Sequence, residues 1–141
     1  MGELVVVGGC LCGAIRYQAE APFNSVSVCH CRSCRLASGA PTVSWFVLPQ
    51  SRFRWLQGSP TIFTSSPPVR RGFCSQCGTQ LSYQHIDAPT EIELTTLSLD
   101  EPGEVRPTRE IWLSERVPWV PVNPQIEHYS RESSGPRTSV T

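Results

Sequence analysis

The sequence predicts an all-β domain of many short strands, and three observations carry that reading. Short runs rich in β-branched and aromatic residues recur along the chain, several alternating apolar with polar. Turn signals separate them at Gly58-Ser59-Pro60, Ser66-Pro67-Pro68, Ala88-Pro89 and Pro102-Gly103. The 13 prolines and 10 glycines are spread throughout, so no long amphipathic helical period survives.

The elements follow in order. An apolar run, Leu4 to Val7, is closed by Gly8-Gly9. Ala14-Ile15-Arg16-Tyr17-Gln18 alternates, as does Ser25-Val26-Ser27-Val28, and each reads as a strand with one buried face. A single helical turn is expected at Arg32 to Ser38, with Gly39 ending it. Thr42 to Leu48, Arg52 to Leu56, Thr61 to Thr64, Val69 to Phe73 and Glu91 to Thr96 read as further strands. From Arg131 the composition turns to Ser, Arg, Gly and Thr. Residues 1–130 therefore read as one domain and 131–141 as a polar, disordered tail.

A chain of 141 residues can bury a single substantial core. Its formal net charge is zero and only 17% of its residues are charged, so no global field or basic arm draws it to nucleic acid or anionic lipid. All 12 basic residues are arginine. The lack of lysine excludes Schiff-base catalysis and a Walker-type phosphate loop, and no serine lies in a nucleophile elbow. No stretch is long and apolar enough for a membrane span, and no basic n-region or long h-region precedes the domain. Val6 stands where a myristoylation motif wants Ser or Thr. A cytoplasmic location is expected.

Seven cysteines is an odd number, and they are clustered. In a reducing compartment such clusters bind metal more often than they pair as disulfides. They fall in three motifs: Cys10-x-Cys12-Gly13, Cys29-His30-Cys31-x-x-Cys34 and Cys74-x-x-Cys77-Gly78. The economical partition is a closed four-thiolate zinc site from Cys10, Cys12, Cys74 and Cys77, plus a second zinc on Cys29, Cys31 and Cys34 with one position open. Structural zinc is saturated, whereas catalytic zinc keeps a place for water or substrate. If Cys29 and Cys31 share a strand they point the same way, and Cys34 returns on the helical turn. Alternatively the second site is structural too, closed by His30 or a distant group. His85 and His128 read as surface or packing residues. Asp87 and Asp100 read as turn or cap residues, and Trp45, Trp55, Trp112 and Trp119 as core.

Gly9-Cys10-Leu11-Cys12-Gly13-Ala14-Ile15-Arg16-Tyr17, then Cys29-His30-Cys31-Arg32-Ser33-Cys34-Arg35 and Ser38-Gly39-Ala40-Pro41, form a recognisable series. Arg71-Gly72-Phe73-Cys74-Ser75-Gln76-Cys77-Gly78-Thr79, Leu97-Ser98-Leu99-Asp100, Glu110-Ile111-Trp112-Leu113-Ser114 and Pro118-Trp119 continue it. The series resembles the family of glutathione-dependent formaldehyde-activating enzymes, which includes centromere protein V. That resemblance implies several small antiparallel sheets of the β-tent type around a zinc site, shared with guanine-exchange chaperones of Rab GTPases. It implies the same division into four and three zinc ligands, two zinc ions per chain with the second labile, and Cys29, Cys31 and Cys34 as the catalytic set. The implied reaction is carbon–sulfur lyase chemistry, joining glutathione and formaldehyde as S-hydroxymethylglutathione. Glutathione carries two carboxylates, so Arg32 and Arg35 are candidate partners by proximity in sequence. The competing readings are a non-enzymatic, zinc-stabilised interaction module, and an enzyme using another small thiol.

Overall fold

The computed structural model describes residues 4–132. In chain order the elements are β1 (Val5–Gly9), β2 (Arg16–Glu20), β3 (Ser25–Cys29), α1 (Arg32–Ser38), β4 (Val43–Pro49), β5 (Phe53–Gln57), β6 (Thr61–Ser66), β7 (Val69–Phe73), β8 (Gln80–His85), β9 (Glu91–Thr95), β10 (Arg109–Ile111) and β11 (Glu127–His128). The all-β expectation holds. A three-stranded sheet runs β1-β2-β5, and an eight-stranded sheet runs β11-β10-β3-β4-β9-β8-β7-β6. Pairing is antiparallel except where β10 lies parallel to β3 and to β11.

β4 lies between β3 and β9 in the large sheet, and its pleat separates two cores. Phe46 and Leu48 are fully buried against Tyr17 and Ala19 of the small sheet and Ile92 and Leu94 of β9. Val43 and Trp45 point to the opposite face and pack with Cys29 and Cys34. Both faces of β4 are covered, which explains its nearly unbroken apolar sequence. Each fully buried side chain of this size contributes roughly 1.5–3 kcal/mol.

The expected helix occupies the expected residues. Cys31 is its N-cap, its sulfur accepting from the Cys34 N–H at 3.3 Å. Gly39 ends it at φ 68°, donating its N–H to the Arg35 carbonyl. Close to this helix Trp112 takes a left-handed φ of 58°, a strained choice for a bulky residue that costs about 1–3 kcal/mol. Its N–H donates to the Arg131 carbonyl at 2.8 Å. The rest of the expected tail, from residue 133, lies outside the described residues. Among the described residues no helix is long and apolar enough to cross a membrane.

Candidate metal centres

The first thiol group forms where two tight turns meet. β1 leads into Cys10, whose N–H donates to the Ile15 carbonyl while its own carbonyl accepts from Gly13. β7 leads into Cys74, which bonds Thr79 and Gly78 in the same pattern. Gly13 and Gly78 sit at φ 81° and 78°, a conformation that strains any residue with a Cβ and lets each turn fold back on its sulfurs. The turns dock through the Leu11 N–H on Thr79 Oγ1 at 3.0 Å and the Cys12 N–H on Cys77 Sγ at 3.4 Å.

The Sγ atoms of Cys10, Cys12, Cys74 and Cys77 all lie within 4.8 Å of one another. Cys10 and Cys12 are 3.6 Å apart, and Cys12 and Cys74 3.8 Å. Four sulfurs bound tetrahedrally at about 2.3 Å stand about 3.8 Å apart, whereas a disulfide needs about 2.05 Å. The donors therefore fit a tetrahedral ion and not a bonded pair. The Thr79 hydroxyl and backbone N–H groups lower the Cys77 thiol to about 5, so this sulfur is readily available as thiolate. Cys10 and Cys74 are buried against the main core, while Cys12 is exposed.

The second group gathers on the opposite face of the large sheet. Cys29 is the last residue of β3, Cys31 caps α1 and Cys34 lies in its first turn. The expectation of one strand carrying Cys29 and Cys31 is corrected: the chain leaves the sheet at Cys29, and the cap delivers Cys31. All three sulfurs lie within 4.8 Å of one another. Hydrogen bonds from the Cys29 and Cys34 thiols, then the Cys34 N–H and the charge of Arg71, lower Cys31 to about 2. The same closeness to Cys31 and Cys34, with burial, pushes Cys29 upward. The cluster thus releases one proton easily and resists losing the others until a cation offsets the charge. Three soft donors with no fourth Cys, His, Asp or Glu beside them, among the described residues, fit a zinc-like ion with an open position.

A cavity of about 380 Å³ opens over these thiols. Trp45, Tyr83 and Trp112 form its apolar wall, and Arg71, Glu93, Glu115 and Glu132 its charged lining. Arg71, Tyr83 and Glu93 come from β7, β8 and β9 and oppose one another in register, so their side chains form one row on one face. Arg71 is only 7% exposed, lies 5.1 Å over the Tyr83 ring, and directs Nη1 and Nη2 at Cys34 Sγ, each at 3.9 Å. A second cavity, about 850 Å³, lies beside Cys77 and Thr79. It is larger but no charged side chain lines it, so the convergent chemistry belongs to the smaller one.

The seven expected cysteines are brought together as two groups. The arginines are not those nearest in sequence. Arg35 braces the His30 and Glu115 carbonyls, and the backbone N–H of Arg32 donates to Glu115, so neither lines the cavity. Arg71, Tyr83 and Glu93 were not anticipated. Arg71 stands three residues before Cys74, which in sequence associates it with the other thiol group. His30 is fully buried and bonds Glu110 Oε1 at 2.6 Å, so it does not close the three-thiol group. His128 packs beside it, its ring on the Asn123 carbonyl, and His85 accepts from the Asp87 N–H. Asp100 pairs with Arg16 rather than capping a turn. Trp45 and Trp112 line the cavity, Trp55 packs on Tyr17 and Phe53, and Trp119 is exposed.

Comparison with known proteins adds an independent line of evidence. Residues 5–115 match the family described as glutathione-dependent formaldehyde-activating enzyme. An uncharacterized lyase of Schizosaccharomyces pombe is 32% identical over 80 residues, which cover 57% of this chain and 58% of that protein. The fold is similar to a crystal structure of a Rhodobacter sphaeroides protein at 25% identity, with a TM-score of 0.57 over 72% of this chain and 91% of that one. With both cysteine groups assembled and the match running through every cysteine motif, the chain belongs to the glutathione-dependent formaldehyde-activating enzyme family.

Proposed function

We propose that this protein is a zinc-dependent carbon–sulfur lyase-type enzyme that joins glutathione and formaldehyde as S-hydroxymethylglutathione. Family membership and the lyase name of a relative support the class. The single observation that carries the reading is the three-thiol group at the floor of a walled cavity, with a buried guanidinium against it. In this reading Cys10, Cys12, Cys74 and Cys77 hold a saturated structural zinc, and Cys29, Cys31 and Cys34 hold the working one. The working zinc would supply an open coordination position that keeps a bound thiol in its nucleophilic thiolate form. Arg71 offsets the negative charge of the thiolates from one side. Trp45 and Trp112 exclude water, so thiol and aldehyde meet in one small space, a gain of proximity. A reducing compartment, the cytoplasm, suits seven free thiols.

The test is calorimetry of glutathione into zinc-loaded protein in buffers of different ionisation heat. Bound glutathione should lose its thiol proton, either to buffer or to a group of the cavity, and Cys31→Ser should lose the binding signal while keeping its fold. Release of zinc is followed in parallel, because an accessible ion on three thiolates is open to exchange. If millimolar glutathione neither binds nor strips metal, and formaldehyde disappears no faster than it does spontaneously, the protein is an interaction module instead.

A further inference from the structure

We propose that Glu93 is the proton-transfer residue of the three-thiol cavity, taking the proton of an incoming thiol and returning it to the aldehyde oxygen. This inference rests on the thiol–aldehyde reading above and names the group that reading leaves unassigned. Glu93 lies in the middle of β9, opposite Val47 on one side and Tyr83 on the other, and lines the cavity with the three cysteines. A strand interior beside aromatic walls favours an apolar residue, and a carboxylate there is penalised unless something uses it. Among the described residues the Glu93 side chain has no hydrogen bond and no ion pair within contact distance, and the Arg71 charge in the same row is what offsets its own.

The neighbouring groups are each unsuited to carry this proton. From β7, Arg71 is permanently charged. From β8, burial pushes Tyr83 up to about 12, too weak an acid to cycle near neutrality. From β4, the facing Val47 cannot titrate. On β9 itself, Glu91 accepts from the Asn24 amide. Across the cavity Glu115 accepts from the Arg32 N–H, and Glu132 is exposed to solvent at the cavity's margin. The cysteines serve as ligands in the proposed reading. Glu93 itself is raised to about 7, chiefly by burial and then by Glu91, with Arg71 opposing. Near neutral pH it is therefore present in both the accepting and the donating form, the condition general acid–base catalysis needs.

The step balances without any added reagent. The S–H bond breaks and its proton passes to the Glu93 carboxylate, while the sulfur electron pair forms the S–C bond. The carbonyl π pair moves to oxygen, and the proton leaves Glu93 for that oxygen, giving the hydroxymethyl thioether. In the reverse direction the carboxylate removes the hydroxyl proton.

The test uses the full zinc-loaded chain as wild type, Glu93→Gln and Glu93→Asp, each checked for metal content and circular dichroism. Glutathione is added at about pH 8, where a group with this pKa begins ionised, and the protonated-carboxyl stretch is followed by infrared difference spectroscopy. Wild type and Glu93→Asp should gain that band and Glu93→Gln should not. Adduct formation by Glu93→Gln should fall about 100-fold or more in kcat/KM and lose the near-neutral limb of its pH profile, with Glu93→Asp partly restored. If glutathione binds and reacts but the band is absent, or Glu93→Gln keeps its rate and profile, the Glu93 assignment is overturned and the reaction stands. If wild type neither binds glutathione nor accelerates the adduct, both are overturned.

Discussion

Arg71 reaches the three-thiol group from a strand whose sequence neighbourhood belongs to the other one. Both its Nη atoms lie 3.9 Å from Cys34 Sγ, and its Nε donates to Ser65 Oγ at 3.2 Å. A buried cation beside thiolates steadies their charge, and groups that support ligands in this way typically contribute 10–100-fold to metal affinity. Arg71→Gln should lower affinity at the three-thiol group about tenfold or more while sparing the four-thiol group. Competition with a chromogenic chelator would measure this, and unchanged affinity would reduce Arg71 to a packing residue. Arg16 and Asp100 behave differently. The guanidinium grips Asp100 through two bonds, one of 3.0 Å, and holds its carboxyl below its ordinary value. Both side chains are well exposed, at 33% and 45%, so the pair contributes less than about 1 kcal/mol. A depressed pKa adds stability above the unfolded value near 4 and loses it as pH falls through the folded value. Urea unfolding should place Asp100→Asn below wild type by under about 1 kcal/mol at neutral pH, the gap closing below about pH 4.

The elements that sequence anticipated are those with an internal signal. β4 shows a dense β-branched and aromatic run, and α1 is bounded by its cap and by Gly39. β8, Gln-Leu-Ser-Tyr-Gln-His, is mostly polar and becomes a strand because β7 and β9 supply hydrogen-bond partners on both sides. β10 and β11 are too short to announce themselves, and their parallel pairing requires distant chain. Glu110 fastens this edge: it accepts from His30 Nε2 at 2.6 Å and from the Asn123 N–H at 2.5 Å, and is itself buried. Glu110→Ala would leave both partners unpaired, at about 1–3 kcal/mol for each buried group. An overall loss of roughly 2–5 kcal/mol in urea unfolding is expected, with weakened metal binding at the flanking Cys29 and Cys31. Glu110→Gln should retain more of the stability, since an acceptor oxygen remains.

Across the whole molecule, the two thiol groups hold different things together. The four-thiol group joins turns 62 residues apart, linking the end of β1 in the small sheet to the end of β7 in the large one. Its buried sulfurs are part of the main core, so metal there would contribute directly to folding. The three-thiol group draws on residues only five apart, between β3 and α1, and little of the fold depends on closing that loop. Cys74→Ser should therefore sharply reduce soluble, folded yield, whereas Cys31→Ser should fold with one zinc equivalent fewer. Circular dichroism and elemental analysis on the two variants decide this, and equal collapse would make both groups structural.

The cysteine spacing by itself determined three compact thiol motifs, because close pairs along the chain must stay close in space whatever the fold. Their count suggested four and three, and the fold brought the first and third motifs together. Strand character and the short helix were also legible, since alternation and caps act over a few residues. Only the tertiary structure decided which groups surround the thiols. Sheet register brought Arg71, Tyr83 and Glu93 from three strands into one row, and the pleat of β4 set that row on the face opposite the main core. A cavity is made by such long-range pairing, and no local stretch of sequence encodes which strand will stand beside another.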